Sequence, residues 1–270
     1  MPETLARVEN ADGTAVVYRQ FGEGPRLLTC LHSLALDGSW YAPLALALGD
    51  QYRLLAPDFR GHGDSARGRS APTLEIVARD IAAMWDAENI KSSVVLGISL
   101  GGMVAQAVTG SFPDRVDAQI LMATRGAYDE PAARGTLARA AKVRAPHGLE
   151  QAAEMTLHRW FGDGSGNAAD PLVRQARAQF LGAGGATIAE YFEAMTRVGD
   201  FAADPPPPTL VVGGDDDRST PRAVIEQLAG SIPGARLAFA KGGHLFAFEN
   251  PREAAATMRP FLDGLDCWTH

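Results

Sequence analysis

Val94-Val95-Leu96-Gly97-Ile98-Ser99-Leu100-Gly101-Gly102-Met103 is the stretch that decides the fold. Its first three residues are apolar and bulky, in a run too short for a buried helix, so they read as a strand. Met103 to Val108 reads as a helix. Between the two, the chain must turn sharply, and a sharp turn crowds the side chains on either side of its centre. Gly97 and Gly101, with Gly102 beyond, relieve that crowding. The centre is Ser99, in the G-x-S-x-G spacing that exposes a serine hydroxyl at the end of a buried strand. A serine hydroxyl is a weak nucleophile until a base takes its proton. The N–H of Leu100 stands at a helix N-terminus and points where an oxyanion would form. Ser99 is therefore the candidate nucleophile, and Leu100 a candidate oxyanion donor. A Gly-rich phosphate loop is the competing reading, but the strand before and the helix after favour the serine.

Working outward, short apolar runs alternate with helical ones. Ala15 to Arg19, Leu27 to Leu31, Tyr52 to Ala56, Ala118 to Met122, Leu210 to Val212 and Arg236 to Phe239 read as further strands. Leu74 to Trp85 has apolar residues at helical spacing, and Arg252 to Leu262 closes the chain as a helix. Strands of this kind alternating with helices imply an α/β fold, with a mostly parallel central sheet flanked by helices. One stretch breaks the rhythm. Between 126 and 200, Leu137 to Val143, Leu149 to Trp160, Pro171 to Phe180 and Ile188 to Val198 read as helices, with no strand among them. Gly162-Asp163-Gly164-Ser165-Gly166 and Gly182-Ala183-Gly184-Gly185 interrupt them, and Pro205 to Pro208 form a stiff connector. The expectation is a core from 1–125 and 201–270, with an all-helical cap at 126–200 inserted over the sheet.

Composition narrows the function. With 46% hydrophobic and 21% charged residues, the chain reads as a globular protein. A net charge of −7 leaves no broad basic surface for phosphates, so a nucleic-acid partner is not expected. No apolar stretch approaches the roughly 20 residues of a membrane helix. Met1 to Thr4 opens without a basic segment followed by an apolar one, and a cytoplasmic protein is expected. Cys30 and Cys267 read as two free thiols. There is no H-E-x-x-H and no Cys/His cluster, so no metal and no cofactor are expected. Three adjacent side chains in a tight turn, Asp215, Asp216 and Asp217, cannot all face one ion. The sequence leaves a homo-oligomer open.

A base and an acid should follow the serine along the chain. His244, in Lys241-Gly242-Gly243-His244 after the last strand, has the order and the flexible glycine pair. His62 precedes the serine, His147 and His158 fall in the helical stretch, and His270 is the last residue. Among Asp215, Asp216 and Asp217, the last lies just before the turn into the helix at Pro221 and is the choice for the acid. Asp217 would hold the tautomer of His244 while His244 takes the Ser99 proton. A second oxyanion donor should come from Leu31-His32-Ser33-Leu34, with Leu34 the choice and Ser33 the alternative. His32 reads as a residue that holds its own loop. The site would then cleave a small ester or lactone. C–C bond hydrolysis, acyl transfer and perhydrolysis would use the same residues, and a ligand receptor on the same scaffold is the non-enzymatic alternative.

Taken together, Leu31 to Trp40, Pro57-Asp58-Phe59-Arg60-Gly61-His62-Gly63-Asp64-Ser65, Gly97 to Gly102, Asp217 and His244 resemble the α/β-hydrolase superfamily over nearly the whole chain. Ser33-Leu34, Ser99 to Val104 and His147-Gly148-Leu149 leading to Arg159-Trp160-Phe161 are similar to 3-oxoadipate enol-lactonases, although His32 stands where those usually have Asn. The resemblance implies cofactor-free opening of an enol-lactone. An anionic lactone needs a cation near the pocket, and Arg125 and Arg159 are the candidates. Trp160 is a candidate pocket wall.

Overall fold

A computed structural model of the chain describes residues 2–163 and 169–269. Its strands in chain order are β1 (Glu3–Glu9), β2 (Ala15–Phe21), β3 (Arg26–Leu31), β4 (Tyr52–Pro57), β5 (Ser93–Ile98), β6 (Val116–Met122), β7 (Thr209–Gly214) and β8 (Arg236–Ala240). They form one sheet in the order β1-β2-β4-β3-β5-β6-β7-β8. The β1–β2 and β2–β4 pairs are antiparallel. The pairs from β4 through β3, β5, β6 and β7 to β8 are parallel. Every residue of β5 and of β7 is buried, as expected of strands covered on both faces.

Helices α1 (Ala42–Leu48), α2 (Leu74–Ala87), α3 (Leu100–Ser111), α8 (Arg222–Ser231), α9 (Phe246–Glu249) and α10 (Pro251–Leu262) accompany these strands. In α2 the residues Leu74, Val77, Ala78, Ile81, Met84 and Trp85 are buried, the one-sided stripe that its helical spacing implies. Thr73 caps it by accepting the Ile76 N–H at 3.1 Å. Between β6 and β7 lie α4 (Glu130–Val143), α5 (Gly148–Phe161), α6 (Pro171–Ala183) and α7 (Gly185–Met195). Their buried Trp160, Phe180 and Tyr191 belong to the same apolar cluster as Leu28, Tyr41 and Leu96 of the sheet region. Polar ties add to this. Tyr191 Oη donates to the Arg60 carbonyl at 3.0 Å, and Trp40 Nε1 donates to Gln179 Oε1 at 2.6 Å.

Strand order reverses at β3, because β4 lies on one side of it and β5 on the other. Crevices open at the carboxyl ends of strands at such a reversal. The same edge carries the segments that follow β3, β5, β6, β7 and β8, since these strands are parallel.

Several elements depart from the sequence reading, the short and unread α9 among them. β1 has no apolar face to reveal it: its residues are exposed or half-exposed, with Leu5 at 60%. It is a strand because its backbone pairs with β2 over seven positions. α1 is unread, being a short Ala/Leu-rich turn pair. α4 begins at Glu130 rather than Leu137, because Asp129 caps it through the Ala132 N–H at 2.8 Å and Pro131 fits its first turn. The expected break at 162–166 falls partly outside the described residues, and His270 does so entirely. Cys30 and Cys267 are unpaired.

Candidate active site

Ser99 joins β5 to α3 with φ +56° and ψ −117°, a conformation that L side chains rarely adopt. Holding it costs on the order of 1–3 kcal/mol, so the surroundings must enforce it. They do so from both sides: the Ser99 N–H donates to Met122 O at 2.9 Å, and Thr124 Oγ1 donates to Ser99 O at 2.7 Å. Two glycines make the turn possible. A Cβ on Gly97 would stand 2.1 Å from the Gly101 carbonyl oxygen, and one on Gly101 would stand 2.0 Å from that of Leu31. The start of α3 therefore lies directly on the end of β3.

Above Ser99, the loop after β8 brings His244 Nε2 to 2.9 Å from Ser99 Oγ. His244 Nδ1 is 2.9 Å from Asp217 Oδ2 and 3.1 Å from Oδ1. Asp217 is fixed in turn by the loop after β7. It accepts the Ser219 N–H at 2.7 Å, the Thr220 N–H at 3.0 Å and the Thr220 hydroxyl at 2.5 Å. Burial acts to raise the Asp217 carboxyl, but His244 and then Thr220 outweigh it and hold the group below the usual carboxylate range. Of the two neighbouring aspartates, Asp215 ties the loops together by accepting the Gly242 N–H at 2.8 Å, and both are exposed. Thus one line of hydrogen bonds runs from a carboxylate through an imidazole to a hydroxyl. Such a line can draw the proton from the hydroxyl as it attacks a carbonyl.

Leu100 is the first residue of α3, so its N–H has no acceptor within the helix. Leu34 follows β3 and lines the same cavity as Ser99 and His244. His32 does more than hold its own loop: Nδ1 meets Ser33 O at 2.7 Å, while Nε2 accepts the Phe59 N–H at 2.9 Å. It thereby fastens the loop after β3 to the one after β4.

The cavity over Ser99 is about 80 Å³, well below the roughly 300–1,000 Å³ of drug-sized sites. Trp160 forms part of its wall and stacks over His244, with ring centroids 6.1 Å apart and planes at 18°. Arg125 and Arg159 both line it, half-buried. A third arginine, Arg139 of α4, joins them there and was missed in the sequence. On α4 it lies three residues after the buried Thr136 and four before the buried Val143, a half-buried face whose neighbours are set by helix packing. Arg125 lies over the Tyr128 ring at 4.5 Å and Arg139 over Phe192 at 5.0 Å. Among the described residues, none of the three forms an ion pair with a carboxylate. Burial lowers the pKa of Arg139, and the positive charges of Arg159 and Arg125 lower it further; burial alone lowers that of Arg159. An anion would relieve that crowding.

Residues 26–251 match the family described as alpha/beta hydrolase fold. The chain belongs to that family. It is 30% identical to 3-oxoadipate enol-lactonase 2 of Acinetobacter baylyi over 155 residues, 57% of either chain. It is 31% identical to a non-heme chloroperoxidase of Streptomyces lividans over 122 residues, 44% of either chain. The chain spans about half the length of the curated relatives it matches. Among solved structures, the enol-lactonase from Burkholderia xenovorans superposes with a TM-score of 0.86 at 27% identity, over 96% of this chain and 100% of that one. No helix among the described residues is long and apolar enough to cross a membrane. Among them, too, no three His, Cys, Asp or Glu side chains are grouped to hold a metal ion.

Proposed function

We propose that the chain is a serine hydrolase that cleaves a small ester or lactone through an acyl-enzyme, most like the hydrolysis of 3-oxoadipate enol-lactone. The observation that carries this is the 2.9 Å contact between His244 Nε2 and Ser99 Oγ, continued to Asp217. His244 takes the Ser99 proton as Oγ attacks the carbonyl carbon. The N–H groups of Leu34 and Leu100 hold the oxyanion, and His244 returns the proton to the departing oxygen. Water, activated by His244, then releases the acid. The four helices α4–α7 act as the cap that excludes bulk water from this cavity.

A carboxylate on the substrate is supported by Arg125, Arg139 and Arg159, three cations around one small cavity that pair with no carboxylate among the described residues. The similarity to enol-lactonases points the same way, at about 30% identity. Acyl transfer and perhydrolysis would share the acyl-enzyme and differ in the acceptor, so product analysis separates them.

The test is Ser99→Ala with 4-nitrophenyl acetate. Loss of the triad nucleophile is expected to cut turnover by about 10⁴-fold or more. Hydrolysis at the wild-type rate would overturn the assignment.

A further inference from the structure

Behind the wall formed by Trp160 lies a second cavity of about 190 Å³, lined by Arg159, Trp160, Asp216, Arg218, Gly243 and Glu249 among others. It shares Arg159 and Trp160 with the cavity over Ser99. Glu249 ends α9, five residues after His244. Its Oε2 is buried with no hydrogen-bond partner among the described residues, and stands 3.8 Å from where a Cβ of Gly243, the residue before His244, would be. A buried carboxyl oxygen without a partner is costly.

We infer that Glu249 is a positioning residue, a second carboxylate that acts on His244 from outside the hydrogen-bonded line to Asp217 and tunes the charge His244 gains in the transition state. This rests on the hydrolase reading above. Asp217 grips Nδ1 directly, so its effect is geometric as well as electrostatic. Glu249 makes no hydrogen bond to the imidazole and can act only through its charge.

That charge is poised to change near neutrality. Burial, then Asp170, push the Glu249 pKa up to about 7 from the ordinary glutamate value, against the pull of His244. The groups that face it are Arg159 and Asp163 at the end of α5, Asp170 at the start of α6, Asp216 and Arg218 after β7, and His244 after β8. Asp170 is held as the cap of α6, accepting the Leu172 N–H at 2.8 Å. Arg218 is 3.6 Å from Asp163. Below its pKa, Glu249 is neutral and His244 has Asp217 alone. Above it, a second negative charge favours the imidazolium that forms as Ser99 attacks.

The experiment is the pH profile of kcat/KM for 4-nitrophenyl acetate in wild type, Glu249→Gln and Glu249→Asp. Glu249→Gln is expected to match wild type within about twofold at pH 5.5 and to fall about five- to tenfold short at pH 8.5, the size expected of one unit charge several Å away in a half-buried site. KM should be unchanged, and Glu249→Asp should restore most of the rise. A wild-type to Glu249→Gln ratio that stays constant across pH, whether near one or well above it, overturns the proposal, since a merely structural role moves all pH values together. The two readings fail separately. Wild-type hydrolysis that Ser99→Ala leaves intact sinks the hydrolase assignment, whereas a flat ratio sinks the role of Glu249 alone.

Discussion

The strand ends below the cavity hold Ser99, His244 and Asp217 in one line of hydrogen bonds, whereas the arginines and Trp160 on the cavity wall rest on aromatic rings. Ser99, His244 and Asp217 sit on loops after β5, β8 and β7, and each is fixed by contacts of 2.5–3.1 Å. Arg125, Arg139 and Trp160 lie over Tyr128, Phe192 and His244 at ring distances of 4.5–6.1 Å, with Arg139 also donating to Thr136 Oγ1 at 2.8 Å. Hydrogen bonds fix direction, and direction is what proton transfer requires. Stacked cations supply charge at low directional cost, which suits recognition of an anion. Damage below the cavity should therefore abolish chemistry on every substrate, and damage above it should change which substrate is preferred.

The sharpest break in that contrast is Asp217→Asn. The amide keeps the shape but can no longer fix the tautomer of His244 or balance its positive charge. A loss of about 10³–10⁴-fold in kcat is expected, equal for charged and neutral esters. Steady-state kinetics on 4-nitrophenyl butyrate and 4-nitrophenyl hydrogen succinate would check it. A loss confined to one of the two would contradict the division of labour proposed here.

The same contrast explains what could be read without coordinates. Gly97, Ser99 and Gly101 were legible because a backbone collision of about 2 Å leaves only glycine at those two positions. His244 and Asp217 were legible through chain order, which the parallel sheet turns into proximity at one edge. Of Asp215, Asp216 and Asp217, Asp217 alone meets His244. Arg139 was not legible as a cavity residue. Its face of α4 depends on how α4 packs on α5 and α7, and such packing has no short sequence signature. β1 escaped for the opposite reason, because an exposed edge strand is held by backbone pairing and needs no apolar pattern.

The seam between the two regions offers the next test. His62 is buried under Tyr191 of α7, with ring centroids 4.8 Å apart, and His32 is buried beside His62, with ring centroids 5.2 Å apart. Burial holds both imidazoles neutral, with pKa values of about 3 against the ordinary 6.5. The unfolded chain takes up protons near pH 6.5, while the folded one does not until about pH 3. Stability from these groups is therefore complete above about pH 6.5 and declines as pH falls toward 3. At pH 5 the loss is about 2 kcal/mol per histidine. Urea unfolding of wild type and His62→Gln at pH 7.5 and 5.0 isolates the effect. The variant is expected to lose less stability between the two pH values. Equal losses would mean that His62 is not held neutral at this seam.

The smallest effect is the one that tests the helices alone. Arg139→Gln removes one of three cations from the cavity wall while leaving Ser99, His244 and Asp217 untouched. A charge-assisted contact in a half-buried site contributes about 1.5–3 kcal/mol. Relief of repulsion from Arg125 and Arg159 offsets part of that when no anion is bound. The ratio of kcat/KM for 4-nitrophenyl hydrogen succinate to that for 4-nitrophenyl butyrate should fall about tenfold, at the lower end of that range. A change in both esters by the same factor would make Arg139 a structural residue of the cap. An unchanged ratio would leave anion recognition to Arg125 and Arg159, whose substitution would then have to carry the whole preference.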